Sequence, residues 1–301
     1  VRISAPERGD CAMTDAVSTS GPVAGVIGQP IAHSLSPLIH NTWLKRFGLP
    51  GRYERREIAP EHFDRDMRSL LIQEGWVGMN VTLPHKQAAF NFCDCLDPAA
   101  RRLGAVNTIV TLPDGRFEGR NTDLYGFRTN LENAPGWSQT GRDAAVVLGA
   151  GGAARAVVAA LQDLGFRQIF IANRSLDKAQ ELAVALDHAN SLHAVAWADI
   201  PGLLGICDLL VNTTSLGMVG QPPLQIDLTP LPTGAFVTDI VYKPLETDLL
   251  AQARARGNRV VDGLGMLLYQ AVPGFQAWFN PPSAPVVDKE LRDIILKAMA
   301  A

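Results

Sequence analysis

The sequence predicts an α/β protein with two domains and mostly parallel β-sheets. Short runs of β-branched and apolar residues alternate with segments of helical periodicity, a pattern typical of repeated strand–helix–strand units. A glycine-rich turn at Gly149–Ala154 stands directly between a predicted strand and a predicted helix. The chain has 301 residues, enough for one large or two ordinary domains.

The first unit follows a polar N-terminal segment. Residues 1–22 mix charged residues with Ser, Thr and Pro and lack the apolar stretch of a secretion signal, so we expect a disordered tail. A strand at Val23–Gly28 leads to a helix that opens at Pro37, with Ser36 as its cap. A helix at Pro60–Glu74 is predicted next, since its apolar residues share one face. The other predicted strands are Tyr53–Ile58, Trp76–Val81, Ala105–Thr111 and Gly115–Arg120, the last two antiparallel.

The second unit begins near Asp123. Its first helix is predicted at Tyr125–Asn133, and another follows the glycine-rich turn as far as Leu164. The helix Glu246–Arg256 should end at Gly257, because glycine readily adopts the left-handed conformation of a helix terminus. The predicted strands are Asp143–Leu148, Gln168–Ala172, Asp208–Asn212 and Ala235–Asp239. The last stretches, Gly263–Phe279 and Val286–Ala300, are predicted to be helical.

Composition excludes several classes of function. The net charge is only −3, which gives no electrostatic footprint for nucleic acid or an anionic membrane surface. No run approaches the roughly 18 to 20 apolar residues of a membrane-spanning helix. The four cysteines are too sparse for a disulfide framework, and the His and Cys spacings match no metal site. We therefore expect a cytoplasmic protein with reduced thiols, no metal and a small-molecule substrate.

The glycine-rich turn predicts a dinucleotide site. It fits the pattern G-x-G-x-x-[GA] with Gly149, Gly151 and Ala154, while Ala150, Gly152 and Ala153 fill the spaces. The first glycine turns the chain tightly, and the second lets the backbone approach a pyrophosphate. The small third residue lets helix and strand pack closely. A helix N-terminus at this place also attracts phosphates.

The end of the following strand indicates which dinucleotide binds. An NAD enzyme usually has Asp or Glu there for the ribose 2′-hydroxyl, but this chain has Asn173. Arg174 and Lys178 can pair with a 2′-phosphate, and Ser175 can hydrogen-bond it. The alternative is a solvated basic loop at the start of a helix. The charge favours NADP over NAD.

Hydride transfer to a ketone also needs a proton donor and groups that hold the substrate. Ser34 and Ser36 stand at a helix entrance, where two hydroxyls and the helix dipole would suit a carboxylate. Helix capping would explain Ser36 but not Ser34. Asn80 and Thr82 share one side of a strand end, and Lys86 follows them. A lysine is normally a surface residue, but in a cleft it can act in acid–base chemistry.

A third polar cluster runs from Gly104 to Thr108 and from Asn121 to Asp123. Asn107 could be a turn residue, and Asn121–Asp123 could cap the next helix. If Asp123 meets Lys86, the carboxylate would orient the lysine and bind a substrate hydroxyl.

From about Val23 onward the chain resembles the shikimate dehydrogenases. Each motif is only moderately specific, but their order and spacing together are distinctive. The matching stretches are Ile31–Pro37, Asn80–Lys86, Gly104–Thr108, Asn121–Asp123, Gly149–Ala154, Asn212–Met218, Asp239–Tyr242 and Asp262–Leu267.

The resemblance implies a role for each matching position. Lys86 and Asp123 match the catalytic pair. Ser34, Ser36 and Tyr242 would hold the substrate carboxylate, and Asn80, Thr82, Asn107 and Gln270 would bind ring hydroxyls. Beyond the glycine-rich turn and the basic loop, the implied NADP contacts are Thr213, Ser215, Met218, Ile240 and Gly263. Lys178 stands where arginine is frequent, which keeps the charge.

The resemblance also implies the reaction and the domain organisation. The reaction is the reversible NADPH-dependent reduction of 3-dehydroshikimate to shikimate, a step in aromatic amino acid biosynthesis. Residues 23–122 and 264–301 would form a substrate-binding domain, and residues 123–263 a Rossmann-type NADP domain. A monomer and a homodimer both fit the sequence.

Two alternatives stay open. One is a quinate/shikimate dehydrogenase of the same family with relaxed cofactor or substrate preference, against which Arg174 and the hydroxyl at Ser36 argue. The other is a non-catalytic dinucleotide-binding protein, against which the intact Lys86 and Asp123 pair argues, since such a protein needs neither residue.

Overall fold

The computed structural model describes residues 21–187 and 189–300. The predicted tail therefore lies almost entirely outside the described residues. The described chain folds into two β-sheets flanked by helices, which confirms the predicted α/β class. No helix in this part of the chain is both long and apolar enough to cross a membrane.

The first sheet has the strand order β2-β1-β3-β5-β6-β4. Strands β1, β2 and β3 are parallel, whereas β5 pairs antiparallel with both β3 and β6. The predicted antiparallel pairing near residue 110 is thus confirmed. The strands are β1 (Val23–Gly28), β2 (Arg52–Glu57), β3 (Gly78–Val81), β4 (Cys95–Leu96), β5 (Thr108–Thr111) and β6 (Phe117–Arg120).

The second sheet is entirely parallel, with the order β12-β11-β10-β7-β8-β9. This is the doubly wound order, in which the direction of winding reverses between β7 and β10 and leaves a crevice at their carboxyl ends. The strands are β7 (Ala144–Leu148), β8 (Gln168–Asn173), β9 (Leu192–Ala196), β10 (Leu209–Asn212), β11 (Phe236–Asp239) and β12 (Arg259–Val261).

Helices cover both sheets, and the C-terminal ones return to the first. Leu264, Leu268 and Phe275 share a core with Ala24 and Val26 of β1. The α-helices are α1 (Ser36–Phe47), α2 (Phe63–Arg68), α3 (Lys86–Phe92), α4 (Pro98–Leu103), α5 (Asp123–Glu132), α6 (Gly152–Asp163), α7 (Leu176–Leu186), α8 (Ile200–Leu204), α9 (Asp248–Ala255), α10 (Leu264–Tyr269), α11 (Ala271–Phe279) and α12 (Lys289–Ala300).

Several predicted boundaries are wrong. Ser36 is the first residue of α1 rather than its cap, and its backbone N–H donates to Oγ of Ser34 at 3.4 Å. The predicted helix Pro60–Glu74 is divided into a 3₁₀ turn, the short α2 and a π-helical turn. The segment Gly263–Phe279 is two helices that meet at Gln270. Gly257 does follow the end of α9 with a φ of 90°, as predicted.

Candidate active site

A cavity of about 340 Å³ lies where the first sheet meets the segment after β11 and helix α10. Its wall includes polar residues that lie far apart in the chain. Each predicted catalytic or substrate-binding residue lines it: Ser34, Ser36, Asn80, Thr82, Lys86, Asn107, Asp123, Tyr242 and Gln270. The three polar clusters of the sequence therefore converge on one site.

Lys86 and Asp123 form an ion pair in the wall of this cavity. The Nζ atom of Lys86 donates to Oδ2 of Asp123 at 2.5 Å, and the two side chains are 24% and 13% exposed. Each is the first residue of its helix, α3 and α5 respectively. The N-terminus of α5 favours a carboxylate at this position. Both groups are partly shielded from water, so the pair is held close while still open to a ligand.

Asn107 fixes the other oxygen of the carboxylate. Its Nδ2 donates to Oδ1 of Asp123 at 2.8 Å, while its Oδ1 accepts from the backbone N–H of Thr122 at 2.8 Å. Because the two oxygens of Asp123 have different donors, the plane of the carboxylate is fixed. Asn121 adds a third contact, since its Oδ1 accepts from the Asp123 N–H at 3.1 Å.

Asn80 is held by a residue that the sequence did not single out. The hydroxyl of Tyr53 donates to Oδ1 of Asn80 at 2.6 Å, and both residues are buried. Burial raises the pKa of Tyr53 well above its ordinary value, although Ser36 and Asn80 lower it in part, so the phenol keeps its proton. Tyr53 is the one buried residue of the charged strand β2, and this contrast was the signal available in the sequence.

Ser34, in the segment before α1, and Ser36, the first residue of α1, both line the cavity. The shape of this segment comes from a turn in which the Ser34 N–H donates to the carbonyl of Ile31 at 3.0 Å. Arg55 on β2 donates to the carbonyl of Ala32 and braces the same segment. At the start of α1 the Ser36 N–H donates to Oγ of Ser34 at 3.4 Å, so both hydroxyls lie at the N-terminal dipole of this helix.

Tyr242 reaches the cavity from the second sheet. It follows the carboxyl end of β11, where the buried Asp239 accepts from the Val241 N–H at 2.9 Å and from Asn212 at 3.0 Å. Thr247 donates to the same carboxylate at 2.8 Å. These bonds tie the ends of β10 and β11 together. Burial raises the pKa of Asp239, and the same hydrogen bonds lower it in part. Burial also raises the pKa of Tyr242, so its hydroxyl is a donor at neutral pH.

The glycine-rich turn has the geometry that a dinucleotide needs. Gly149 has a φ of 106°, and its N–H donates to the carbonyl of Ala172 at 2.7 Å. Gly151 precedes α6, and Gly152 is its first residue. A Cβ atom at either of these two would meet no protein atom within 4 Å. The space before the turn is therefore open, and an arriving phosphate would meet unobstructed N–H groups at a helix N-terminus.

The predicted 2′-phosphate loop lies at the end of β8. Asn173 ends the strand, and its Nδ2 donates to the backbone carbonyl of Ser175 at 2.9 Å. Arg174 and Lys178 are exposed, and neither takes part in an ion pair within residues 21–187 and 189–300. The strand end has Asn173 instead of an acidic residue, and two cationic side chains lie beside it. This combination suits a dinucleotide that carries a 2′-phosphate.

The other predicted cofactor contacts follow the carboxyl ends of β10, β11 and β12. Thr213 follows β10, and its Oγ1 donates to the carbonyl of Leu148 at 2.7 Å, so the two strand ends are joined at the switch point. Ser215 and Met218 lie in the loop that follows. Gly263 lies so close to Ile240 that a Cβ would overlap the Ile240 carbonyl group. Glycine is required there for the chain to pass.

Known families match both halves of the chain. The shikimate dehydrogenase substrate binding domain matches residues 26–109, and the shikimate / quinate 5-dehydrogenase family matches residues 136–218. This chain belongs to the shikimate dehydrogenase family. A family member from Methylobacterium radiotolerans, named shikimate dehydrogenase (NADP(+)), is 53% identical over 94% of this chain and 100% of its own length.

Solved structures of the family share the fold. Quinate dehydrogenase of Corynebacterium glutamicum, in complex with NAD, has a TM-score of 0.85 and 30% identity. The match covers 92% of this chain and 99% of that chain. Shikimate 5-dehydrogenase of Thermus thermophilus, in complex with NADP(H) and shikimate, has a TM-score of 0.79 and 33% identity, with the same coverage. The predicted two-part architecture is confirmed.

Proposed function

We propose that this protein is an NADP-dependent shikimate dehydrogenase that reversibly reduces 3-dehydroshikimate to shikimate. The observation that carries this proposal is the Lys86–Asp123 pair in a cavity lined by hydroxyl and amide groups. A relative that is 53% identical over 94% of the chain has this activity in its name, which supports the assignment. The activity would serve aromatic amino acid biosynthesis.

The cofactor assignment follows from charge. Bound NADPH would supply a hydride from its nicotinamide ring to the C3 carbonyl. The N–H groups at Gly151 and Gly152 would hold the pyrophosphate, and Arg174 and Lys178 would hold the 2′-phosphate with help from Asn173 and Ser175. Thr213, Ser215, Met218, Ile240 and Gly263 would line the crevice toward the substrate cavity.

Lys86 would carry the proton chemistry. As the carbonyl oxygen of the substrate gains negative charge, the Lys86 ammonium beside it would stabilise that charge and transfer a proton to the oxygen. Asp123 would keep the ammonium aimed at that oxygen, because its Oδ2 accepts from Nζ at 2.5 Å. Asn107 would prevent the carboxylate from rotating. In the reverse direction the neutral amine would take the proton of the alcohol.

The rest of the cavity would bind the substrate. The hydroxyls of Ser34 and Ser36, the N-terminus of α1 and the Tyr242 hydroxyl together would hold the carboxylate. Asn80, Thr82 and Gln270 would meet the ring hydroxyls. A polar cavity of about 340 Å³ suits a single small ring rather than a polymer.

A quinate dehydrogenase that uses NAD is the second candidate, because one of the similar structures is of that kind. The basic loop at Arg174 and Lys178 argues for a cofactor with a 2′-phosphate. The decisive experiment measures steady-state rates for shikimate with NADP, shikimate with NAD, and quinate with NADP. Rapid turnover with shikimate and NADP alone supports the proposal, whereas comparable rates with quinate and NAD would favour the alternative.

We also propose that the protein has two domains. Residues 23–122 and 264–301 would form the substrate-binding domain, and residues 123–263 the NADP-binding domain. The protein would work in the cytoplasm. The sequence fits both a monomer and a homodimer. Limited proteolysis near residues 123 and 263 tests the boundaries. Sedimentation at several protein concentrations tests the oligomeric state.

A further inference from the structure

Tyr53 occupies an unusual place for a polar aromatic residue. Its ring stacks on the buried His40 at 4.0 Å between centroids, with an angle of 7° between the planes, and Trp278 packs beside it at 5.9 Å. The residue is 2% exposed. The hydroxyl donates to the Oδ1 atom of Asn80 at 2.6 Å, and the Ser36 side chain is a second polar group beside it. The packing therefore fixes where this hydroxyl can point.

The amide of Asn80 can take only one orientation here. Its Nδ2 donates to the backbone carbonyl of Asn107 at 3.3 Å and to Oγ1 of Thr108 at 3.0 Å. A carbonyl can only accept, so the nitrogen has to face it and the oxygen has to face Tyr53. A primary amide has two N–H bonds, and both are used in these contacts.

The Asn80 oxygen can accept one hydrogen bond beyond the one from Tyr53. An amide oxygen accepts two hydrogen bonds, and Tyr53 occupies one of the two positions. Asn80 lines the substrate cavity, so a ligand can use the other. The ligand group at this position has to be a hydrogen-bond donor. A hydroxyl satisfies this condition, whereas a ketone, an ether or a carboxylate does not.

We propose that Tyr53 is a positioning residue that makes Asn80 a hydrogen-bond acceptor for a hydroxyl proton of the substrate. The inference rests on the proposed function, because it assigns the kind of substrate atom that one wall of that same cavity selects. Tyr53 does not touch the substrate; it acts through Asn80. The Tyr53–Asn80 pair would reject a ring that lacks this hydroxyl, because the amide oxygen would then be left without its second partner.

The experiment compares wild-type protein with the Tyr53→Phe variant, using shikimate and NADP. Without the phenol hydroxyl, the Asn80 oxygen loses its donor, and the amide is held only through the two contacts of Nδ2. We expect the KM for shikimate to rise about tenfold, the cost of one hydrogen bond, with kcat and the KM for NADP changed less than about threefold. Tyr269→Phe is the matched control, because Tyr269 lines a separate cavity. It should keep the wild-type constants.

Shikimate analogues that each lack one ring hydroxyl separate positioning from general damage. With the analogue that lacks the hydroxyl bound by Asn80, the difference between wild-type protein and Tyr53→Phe should disappear. An equal loss with every analogue would overturn the proposal, as would an unchanged KM for shikimate in a folded variant. Wild-type protein that neither binds nor turns over shikimate would instead refute the proposed function, and this inference with it.

A second pair of variants applies if Tyr53→Phe does not fold. Thr108→Val removes the oxygen that accepts from Asn80, and Thr108→Ser keeps it. We expect the valine variant to raise the KM for shikimate about tenfold and the serine variant to restore it. Equal constants for the two would overturn the proposal.

Discussion

The Nζ atom of Lys86 lies 2.5 Å from Oδ2 of Asp123, although 37 positions separate the two residues in the chain. Lys86 begins the helix after β3, and Asp123 begins the helix after β6. The pairing of β3 with β5 and of β5 with β6 places these helix starts on one side of the sheet. This close contact is the structural basis of the proposal that Lys86 transfers the proton and that Asp123 orients it.

Replacing Lys86 by alanine should lower kcat by about 10² to 10⁴-fold with little change in the affinity for shikimate, because the lysine acts on the reacting oxygen. Steady-state kinetics and a direct binding measurement check the two halves of this expectation. Lys45→Ala, at an exposed site on α1, is the control. A near-normal turnover number for the Lys86 variant would remove the lysine from the chemistry.

Replacing Asp123 by asparagine should lower kcat about 10- to 100-fold, since a hydrogen bond to a charged group is lost while the side-chain shape remains. The double variant Lys86→Ala/Asp123→Asn should be scarcely slower than Lys86→Ala alone, because the two side chains act as one unit. Fully multiplicative losses would show instead that the two residues act independently.

Replacing Arg174 by alanine should raise the KM for NADP about 10- to 100-fold and leave the KM for NAD nearly unchanged, since only NADP carries the 2′-phosphate. Arg167→Ala is a suitable control, because this exposed arginine pairs with Asp143 at 2.8 Å, away from the loop. Equal losses with both cofactors would place the 2′-phosphate elsewhere.

Alanine at Gly149 and alanine at Gly151 in the glycine-rich turn should have different effects. Gly149→Ala should lower the free energy of unfolding by about 1–3 kcal/mol, because φ is 106° there and the new Cβ would lie 2.8 Å from Oγ1 of Thr213. Gly151→Ala meets no protein atom within 4 Å, so the fold should keep its stability while the KM for NADP rises. Thermal unfolding and cofactor titration distinguish the two; a stable Gly149 variant would contradict the first expectation.

His40 should make the fold sensitive to acid. It is fully buried among aromatic rings, and burial lowers its pKa to about 3, whereas the unfolded chain has a value near 6.5. Below about pH 6.5 the unfolded chain binds a proton that the folded chain does not. The contribution of His40 to the free energy of unfolding is therefore complete above about pH 6.5. It falls by about 1.4 kcal/mol per pH unit as the pH decreases toward about 3.

Replacing His40 by phenylalanine should remove this dependence. Relative to the variant, wild-type protein should lose about 2 kcal/mol of unfolding free energy between pH 7 and pH 5, measured by denaturant titration. The other titrating groups are common to both proteins and cancel in the comparison. Parallel stability curves would show that His40 is protonated, or exposed, in the folded state.

The sequence predicted those parts of the site that depend on local patterns. The turn at Gly149 to Ala154 needs particular residue types at fixed spacing, so the sequence alone indicated a dinucleotide site. Serines before a helix and a lysine after a strand end are local signals as well. Boundaries were predicted less well: Ser36 and the segment after Pro60 differ because packing, rather than propensity, decides where a short helix starts and breaks.

By itself, then, the sequence determined the α/β class, the nucleotide-binding turn and the basic loop at Arg174. With the family resemblance it also indicated the polar side chains that line the cavity, since Tyr242 and Gln270 were implied only in that way. Only the tertiary structure decided how these side chains pair. The contact of Tyr53 with Asn80 depends on the order β2-β1-β3, and that of Lys86 with Asp123 on the antiparallel strands beyond β3. Hydrogen bonds act over about 3 Å, so partners 27 and 37 positions apart meet only when the sheet has set its register and buried its core.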